Sequence, residues 1–355
     1  MLDFSQAPFL VIWETTQACD LACKHCRASA RPERDPDELT HEESRRLLRQ
    51  IRDFGDPLMV FTGGDPLKRP DLFALLEESV KLGLRTTVTP SATPLLTDDA
   101  VTRIRNCGVS RMAVSLDGAD AETHDSFRQV AGSFERTMSA LRQAARVGLE
   151  TQINTTVTRY NRDSLGRIAK LVGEEGARLW SVFFLVVTGR AALADDLSAE
   201  EYERVFEFLY QTSITAPYMI KTTEAQHYRR YVAQQRRSAR GLSNVNDGRG
   251  FLFVSHTGEI FPSGFLEVSA GNVKRTTVQE AYRNSGVFRV LRDSDALRGK
   301  CGLCDYRNLC GGSRSRAFAL TGDYLASDPR CSYQPAPTAA CTPSAHTHAP
   351  LDKAS

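Results

Sequence analysis

No apolar stretch in the 355 residues approaches the roughly 20 residues that a membrane-spanning helix requires. An excess of one charge sign is missing too. The 45 Lys and Arg against 43 Asp and Glu leave a formal net charge of +2, so the balance asks for neither nucleic acid nor an anionic membrane as partner. The opening MLDFSQAPFLVIWETT lacks a basic leading segment and turns acidic after a short apolar run, unlike a secretory signal. With neither export signal nor span, the expected location is cytoplasmic. There is no internal repeat. What remains is ordinary globular composition, 41% hydrophobic and 25% charged, with length enough for two domains with their own cores.

Nine cysteines are present, an odd number, and seven fall into two groups: Cys19, Cys23, Cys26, then Cys301, Cys304, Cys310, Cys331. Grouped cysteines in a large chain without an export signal argue for metal ligation over disulfides. Cys107 follows an amphipathic helical pattern and reads as a small buried apolar residue. Cys341 lies in a Pro/Thr/Ala/His-rich tail, 336–355, that reads as disordered; His346 and His348 there carry no assignment.

The first group is spaced C-x₃-C-x₂-C directly after an apolar, strand-like run. It offers three thiolates to one centre and leaves a fourth position open. Four-iron clusters are normally held by four cysteines. Three protein ligands plus an open position are what a metal needs to bind and activate a small molecule. A structural zinc knuckle would instead pair C-x₂-C with a second such pair or a His pair close by. His25, between two of the cysteines, would strain the loop as a fourth ligand.

From Pro8 to about Val187, β-type runs alternate with helical patterns. The strand candidates are PFLVIWE, PLMVFTG, LRTTVTP, SRMAVSLDG, LETQINTTV and RLWSVFFLVV. Thr40-His41-Glu42-Glu43 is a capping box, one helix runs from Asp71 to a stop at Gly83, and another spans about 133–148. Six βα units in series imply a parallel sheet with right-handed crossovers. A partly closed barrel fits the pattern, and so does an open doubly wound sheet. Ser198-Ala199-Glu200-Glu201 starts a further helix reaching about Gln211. The basic, aromatic TTEAQHYRRYVAQQRR follows, then a Gly/Asn/Asp loop, 241–250, the best boundary. FLFVSHTGEIFPSG reads as a hairpin turning at His256-Thr257-Gly258, and a helix near 277–284 precedes the second cysteine group.

The first cysteine loop opens at the C-terminal edge of a strand, where α/β folds place active sites. It resembles the loop of the radical S-adenosylmethionine (SAM) superfamily, whose signature is C-x₃-C-x₂-C after the first strand of a partial (β/α)₆ TIM-type barrel. The resemblance extends over roughly 8–215. It implies a 4Fe–4S cluster on Cys19, Cys23 and Cys26, with SAM chelated at the open iron and cleaved reductively to a 5′-deoxyadenosyl radical. It also implies a reduced ferredoxin- or flavodoxin-type donor. Thr62-Gly63-Gly64-Asp65-Pro66 resembles the family's GGE-type motif that receives the methionyl amino group, with Asp65 where Glu is commoner. Ser115 and Asp117 after strand four, and Asn154 in strand five, look like positions that bond the ribose or methionine carboxylate. Ser91 and Arg190 are further carry-overs, set against simple helix capping.

The second group, CGLCDYRNLC…DPRC, makes a closed four-thiolate site, suited to structure or electron transfer, and zinc would accept the same spacing. It resembles the C-terminal auxiliary-cluster module called SPASM in its full form. Pro262-Ser263-Gly264 stands where such proteins often place a further cysteine. The expectation is therefore one auxiliary 4Fe–4S cluster, with Ser263 and Ser313 as non-ligands. The implied division is a radical SAM core at 1–215, a connecting helix at 216–250, and a small cysteine-rich α+β domain at 251–335. CGGSRSRAFALTGDYLASDPRC and TTEAQHYRR resemble the branch that modifies tetrapyrroles, comprising alternative-pathway heme synthases and d-type heme proteins. For the second segment a solvated helix face is the plainer expectation, with His227 a surface residue rather than one approaching a porphyrin iron. A tetrapyrrole propionate is thus the first substrate choice. Maturation of a ribosomal peptide is the second, although only some seven residues precede the first strand. A non-catalytic zinc or iron–sulfur scaffold is the reading from another class.

Overall fold

The computed structural model describes residues 3–336, so the expectations for Cys341, His346 and His348 lie outside the described residues. All six expected strands form: β1 (Leu10–Glu14), β2 (Leu58–Thr62), β3 (Arg85–Val88), β4 (Arg111–Ser115), β5 (Thr151–Val157) and β6 (Leu179–Phe184). They pair in chain order, each parallel to the next. The crossovers carry α1 (His41–Arg52), α2 (Leu72–Lys81), α3 (Asp98–Asn106), α4 (Ala121–Arg128), α5 (Ser133–Arg146) and α6 (Leu165–Glu174). Thr40 with Glu43 closes the expected capping box of α1. Ser198 with Glu201 does the same for α7 (Ala199–Thr215), which runs a turn past the expected end. Cys107 is buried at the end of α3 as a small apolar residue.

β5 decides between barrel and open sheet. Thr151, Ile153, Thr155 and Val157 are buried, while Gln152, Asn154 and Thr156 are only half-buried on the opposite face. A doubly wound sheet buries both faces under helices. Here helices take one face, and the other lines the interior of a half-barrel. Strand period therefore puts Asn154 and Thr156 inside, beside Thr62 and Ser115 at the half-buried C-terminal ends of β2 and β4.

Two edges extend the sheet beyond the expected strands. β7 (Met219–Thr223) lies parallel to β6. On the far side β8 (Phe251–Val254) pairs parallel with β1, and β9 (Ile260–Phe261) folds back antiparallel through the expected hairpin. The order β7-β6-β5-β4-β3-β2-β1-β8-β9 is one continuous sheet across the 241–250 loop. β7 sits in the stretch expected to be linker and helix. Its sequence MIKTT has no buried residue and no apolar run, so only its pairing with β6 makes it a strand. The core is likewise shared: Trp13, Phe61 and Trp180 of the barrel belong to the same apolar cluster as Tyr282 and Phe288.

Candidate active site

Beyond β1 and β2 the two chains stay paired without being strands. Thr15 N donates to Thr62 O at 2.7 Å, Gly64 N to Thr16 O at 2.8 Å, and Asp65 N to Ala18 O at 2.7 Å. This seam fixes where the cysteine loop starts. It also explains both glycines. A Cβ at Gly63 would stand 2.5 Å from Thr16 O, and one at Gly64 would stand 2.5 Å from Ala18 O and 2.6 Å from Gln17 O.

Cys19, Cys23 and Cys26 line one cavity, with Gly63, Gly64, Ser91, Ser115 and Asn154 on its other walls. None of the three cysteines is in a disulfide. Each sulfur accepts one N–H: Cys19 Sγ from Leu21 N at 3.4 Å, Cys26 Sγ from Ala30 N at 3.4 Å, and Cys23 Sγ from Arg128 Nη1 at 3.5 Å. Such N–H···S bonds are the ordinary surroundings of iron–sulfur sulfurs. Burial pushes the Cys19 thiol up to about 11, so metal ligation there releases a proton. Among the described residues no three His, Cys, Asp or Glu side chains are grouped to hold a single metal ion. Three thiolates on one cavity wall, each sulfur accepting an N–H, are donors that fit an iron–sulfur cluster.

Three expected cosubstrate residues stand behind the cavity wall instead of on it. The Asp65 carboxylate is fully buried, accepting from Thr93 Oγ1 at 2.6 Å, Leu67 N at 3.1 Å and Ser91 N at 3.3 Å. Burial outweighs these bonds and pushes it up to about 6. Ser91 Oγ donates to Gly64 O at 2.6 Å, so Asp65 and Ser91 together brace the glycine turn. Asp117 is fully buried, ion-paired with Arg128, and accepts from Thr156 N at 2.7 Å. Burial raises its pKa despite the guanidinium. Arg190 Nε donates to Cys23 O at 2.9 Å and Nη1 to Ala30 O at 3.0 Å, clamping the cysteine loop from outside.

Sequence reasoning missed Arg128. It ends α4, where AETHDSFR reads as an unremarkable polar helix, yet it lines the cavity, touches a sulfur and is paired from behind. Its only advance signal was Asp117, an acid at a strand end with no visible cation nearby in sequence. His25 lines the cavity with its ring stacked on Phe127 at 4.3 Å. Burial, with Arg128 and Arg190 nearby, holds it well below the ordinary histidine range and so neutral.

The second group converges as well. Cys301, Cys304, Cys310 and Cys331 line one small enclosure. Asp328 N donates to Cys301 Sγ at 3.4 Å, Tyr306 N to Cys304 Sγ at 3.4 Å, and Gly312 N to Cys310 Sγ at 3.3 Å. Gly312 has φ 67°, and a Cβ there would meet Cys301 Sγ at 3.3 Å and Arg314 Nη2 at 2.5 Å. Ser263 and Ser313 are not on this enclosure. Their hydroxyls donate to Glu224, at 3.4 Å and 2.6 Å, in a buried polar network.

The solvated-face expectation for TTEAQHYRR is overturned. The start of α8 (His227–Arg236) is sandwiched between α7 and the cysteine-rich segment, and His227, Tyr228 and Arg230 are buried. Arg230 pairs with Glu203 and its guanidinium stands 5.3 Å over Tyr333. His227 is neutral, with burial pushing it down to about 3.

The family model described as the Radical SAM superfamily matches residues 13–172. A protein of Oleidesulfovibrio alaskensis named AdoMet-dependent heme synthase is 43% identical over 94% of this chain and 89% of its own length. A Nitratidesulfovibrio vulgaris protein of the same name is 42% identical, covering 92% of each chain. Among solved structures, Streptococcus suis SuiB bound to S-adenosylmethionine superposes with a TM-score of 0.75 over 92% of this chain and 78% of that one, at 18% identity, a likeness of fold. The chain belongs to the radical SAM superfamily, is an enzyme of that kind, and groups with the proteins named AdoMet-dependent heme synthase.

Proposed function

We propose that this radical SAM enzyme acts on an iron tetrapyrrole, oxidatively decarboxylating propionate side chains in heme synthesis. The observation that carries the reading is the match to two proteins named AdoMet-dependent heme synthase at 42% identity or more over at least 92% of the chain.

In this reading Cys19, Cys23 and Cys26 hold a 4Fe–4S cluster, and SAM occupies the rest of the cavity. The cluster supplies one electron for sulfonium cleavage and, through it, hydrogen abstraction from the substrate. The chain's own residues bind and orient. Gly63 and Gly64 let backbone approach the methionyl amino group, and Ser115 and Asn154 offer hydrogen bonds. Arg128 presents a guanidinium to a carboxylate. Asp65, Asp117 and Arg190 hold those groups in place from behind, and Ser91 braces Gly64 from the cavity wall.

Turning a propionate into a vinyl group removes one hydrogen atom and carbon dioxide and leaves one electron over, so an acceptor is required. We assign Cys301, Cys304, Cys310 and Cys331 to one auxiliary 4Fe–4S cluster, with Ser263 and Ser313 outside its ligand set. The proposed division is a core at 1–215, a connecting region at 216–250 and an auxiliary-cluster region at 251–335. A reduced ferredoxin or flavodoxin in the cytoplasm is the proposed electron source. Among the described residues no helix is long and apolar enough to cross a membrane.

The test is anaerobic titration of the reconstituted protein with iron-coproporphyrin, followed by visible absorption. A saturable change in the porphyrin bands, with SAM-dependent loss of carboxyl mass, is expected. An unperturbed spectrum at high concentration contradicts the tetrapyrrole assignment and leaves superfamily membership standing.

A further inference from the structure

One buried polar ring at the second cysteine site is unused by anything described so far. His227 has no exposed surface, and neither ring nitrogen makes a hydrogen bond of good geometry among the described residues, although the Arg330 backbone stands beside the ring. Its surroundings fix it tightly. Tyr202 stacks on it at 5.5 Å and 17°, and Phe206 meets it edge-on at 4.8 Å. Asp328 Oδ2 is 3.8 Å from Nδ1, beyond hydrogen-bond distance, and already accepts from Ser313 N at 2.9 Å and Arg316 Nη1 at 3.2 Å. His227 also lines the enclosure formed by the four cysteines.

A buried imidazole without a partner carries its full desolvation penalty. An acceptor inside the enclosure relieves the N–H half of that penalty, and the acceptors a four-thiolate cluster brings are its sulfurs. Four cysteines already complete a four-iron cluster, so the ring is not needed as a ligand. Its surroundings are built in the same sense. Backbone N–H groups reach Cys301, Cys304 and Cys310, and Arg314 Nη2 lies 3.7 Å from Cys301 Sγ. Donors aimed at the sulfurs favour the more negative, reduced state and raise the reduction potential.

We propose that His227 donates its ring N–H to a sulfur of the auxiliary cluster and thereby raises that cluster's reduction potential. This rests on the auxiliary-cluster assignment made above. His227 is a positioning residue here, acting on the cluster's charge and not on the substrate.

The test is an EPR-monitored redox titration of the anaerobic holoprotein, comparing wild type with His227→Leu and His227→Gln. The auxiliary signal is the one that does not respond to added SAM. His227→Leu should shift its midpoint to lower potential and leave the SAM-responsive signal unmoved, and His227→Gln, which keeps an N–H, should fall closer to wild type. In wild type labelled with ¹⁵N-histidine, pulsed EPR should detect a weak nitrogen coupling on the auxiliary signal. An unmoved midpoint in a fully loaded His227→Leu protein overturns the inference, as does absence of the coupling. If the leucine variant loads no auxiliary cluster, loading in the glutamine variant supports the need for a donor, and failure of both marks a packing role and overturns it. Wild type holding a single cluster defeats the auxiliary assignment itself, an outcome distinct from an unmoved midpoint.

Discussion

Arg128 ties the cluster site to the barrel core, because one guanidinium serves both Cys23 and the fully buried Asp117. Breaking a buried pair from one side leaves an uncompensated charge. Asp117→Ala is therefore expected to cost about 3–5 kcal/mol in anaerobic chemical denaturation, with weakened iron retention. A loss under about 1 kcal/mol would show the pair to be dispensable. Asp65 makes a different prediction because burial raises its pKa above the unfolded value, from 3.8 to about 6. The folded state then binds the proton more tightly than the unfolded one, so this group's contribution falls as pH rises from the unfolded value through 6. Against wild type, Asp65→Asn should gain relative stability between pH 5 and 7.5, on the order of 1 kcal/mol. Parallel stability curves for the two proteins would contradict this.

The seam between the cysteine loop and the end of β2 is what the double glycine makes possible. Gly64→Ala puts a methyl group 2.5 Å from Ala18 O, and backbone cannot yield cheaply there. The variant should fold less stably and bind little iron at the first site, measured as iron per chain after anaerobic reconstitution. Gly166, inside α6, has nothing within 4 Å of its Cβ position. Gly166→Ala is the matched control and should gain about 0.5–1 kcal/mol with full iron loading. Equal iron loading in both variants would remove the steric account.

These two glycines also mark what sequence can and cannot show. The motif was legible because Gly-Gly-Asp follows a readable strand, and the strands β1–β6 were legible from their apolar runs. β7 was not, since MIKTT buries nothing by itself and owes its form to β6. The pairing of β8 with β1 joins residues some 240 positions apart, and no local pattern encodes it. The burial of His227 depends on the cysteine-rich segment folding back over α8, so a lone histidine in a basic stretch gave no sign of it. Arg128 escaped because its partners Cys23 and Asp117 meet it only in the folded barrel.

Taken as one object, the protein has two sulfur sites on a single sheet with a shared apolar core, one at the barrel mouth and one beyond the hairpin. That layout suits chemistry in which a substrate gives up a hydrogen atom at one site and an electron toward the other. Two four-iron clusters correspond to about eight irons per chain. Cys23→Ala should lower that to about four and abolish 5′-deoxyadenosine formation; formation that persists without the first cluster would refute the role of the cysteine loop. The most direct measurement follows the hydrogen itself. Vinyl formation requires its removal from the propionate carbon attached to the macrocycle, so iron-coproporphyrin deuterated at that carbon should pass deuterium into 5′-deoxyadenosine during anaerobic turnover with SAM. Deuterium in the nucleoside, with carbon dioxide released, is the predicted result; 5′-deoxyadenosine formed without label, and porphyrin recovered intact, would contradict it.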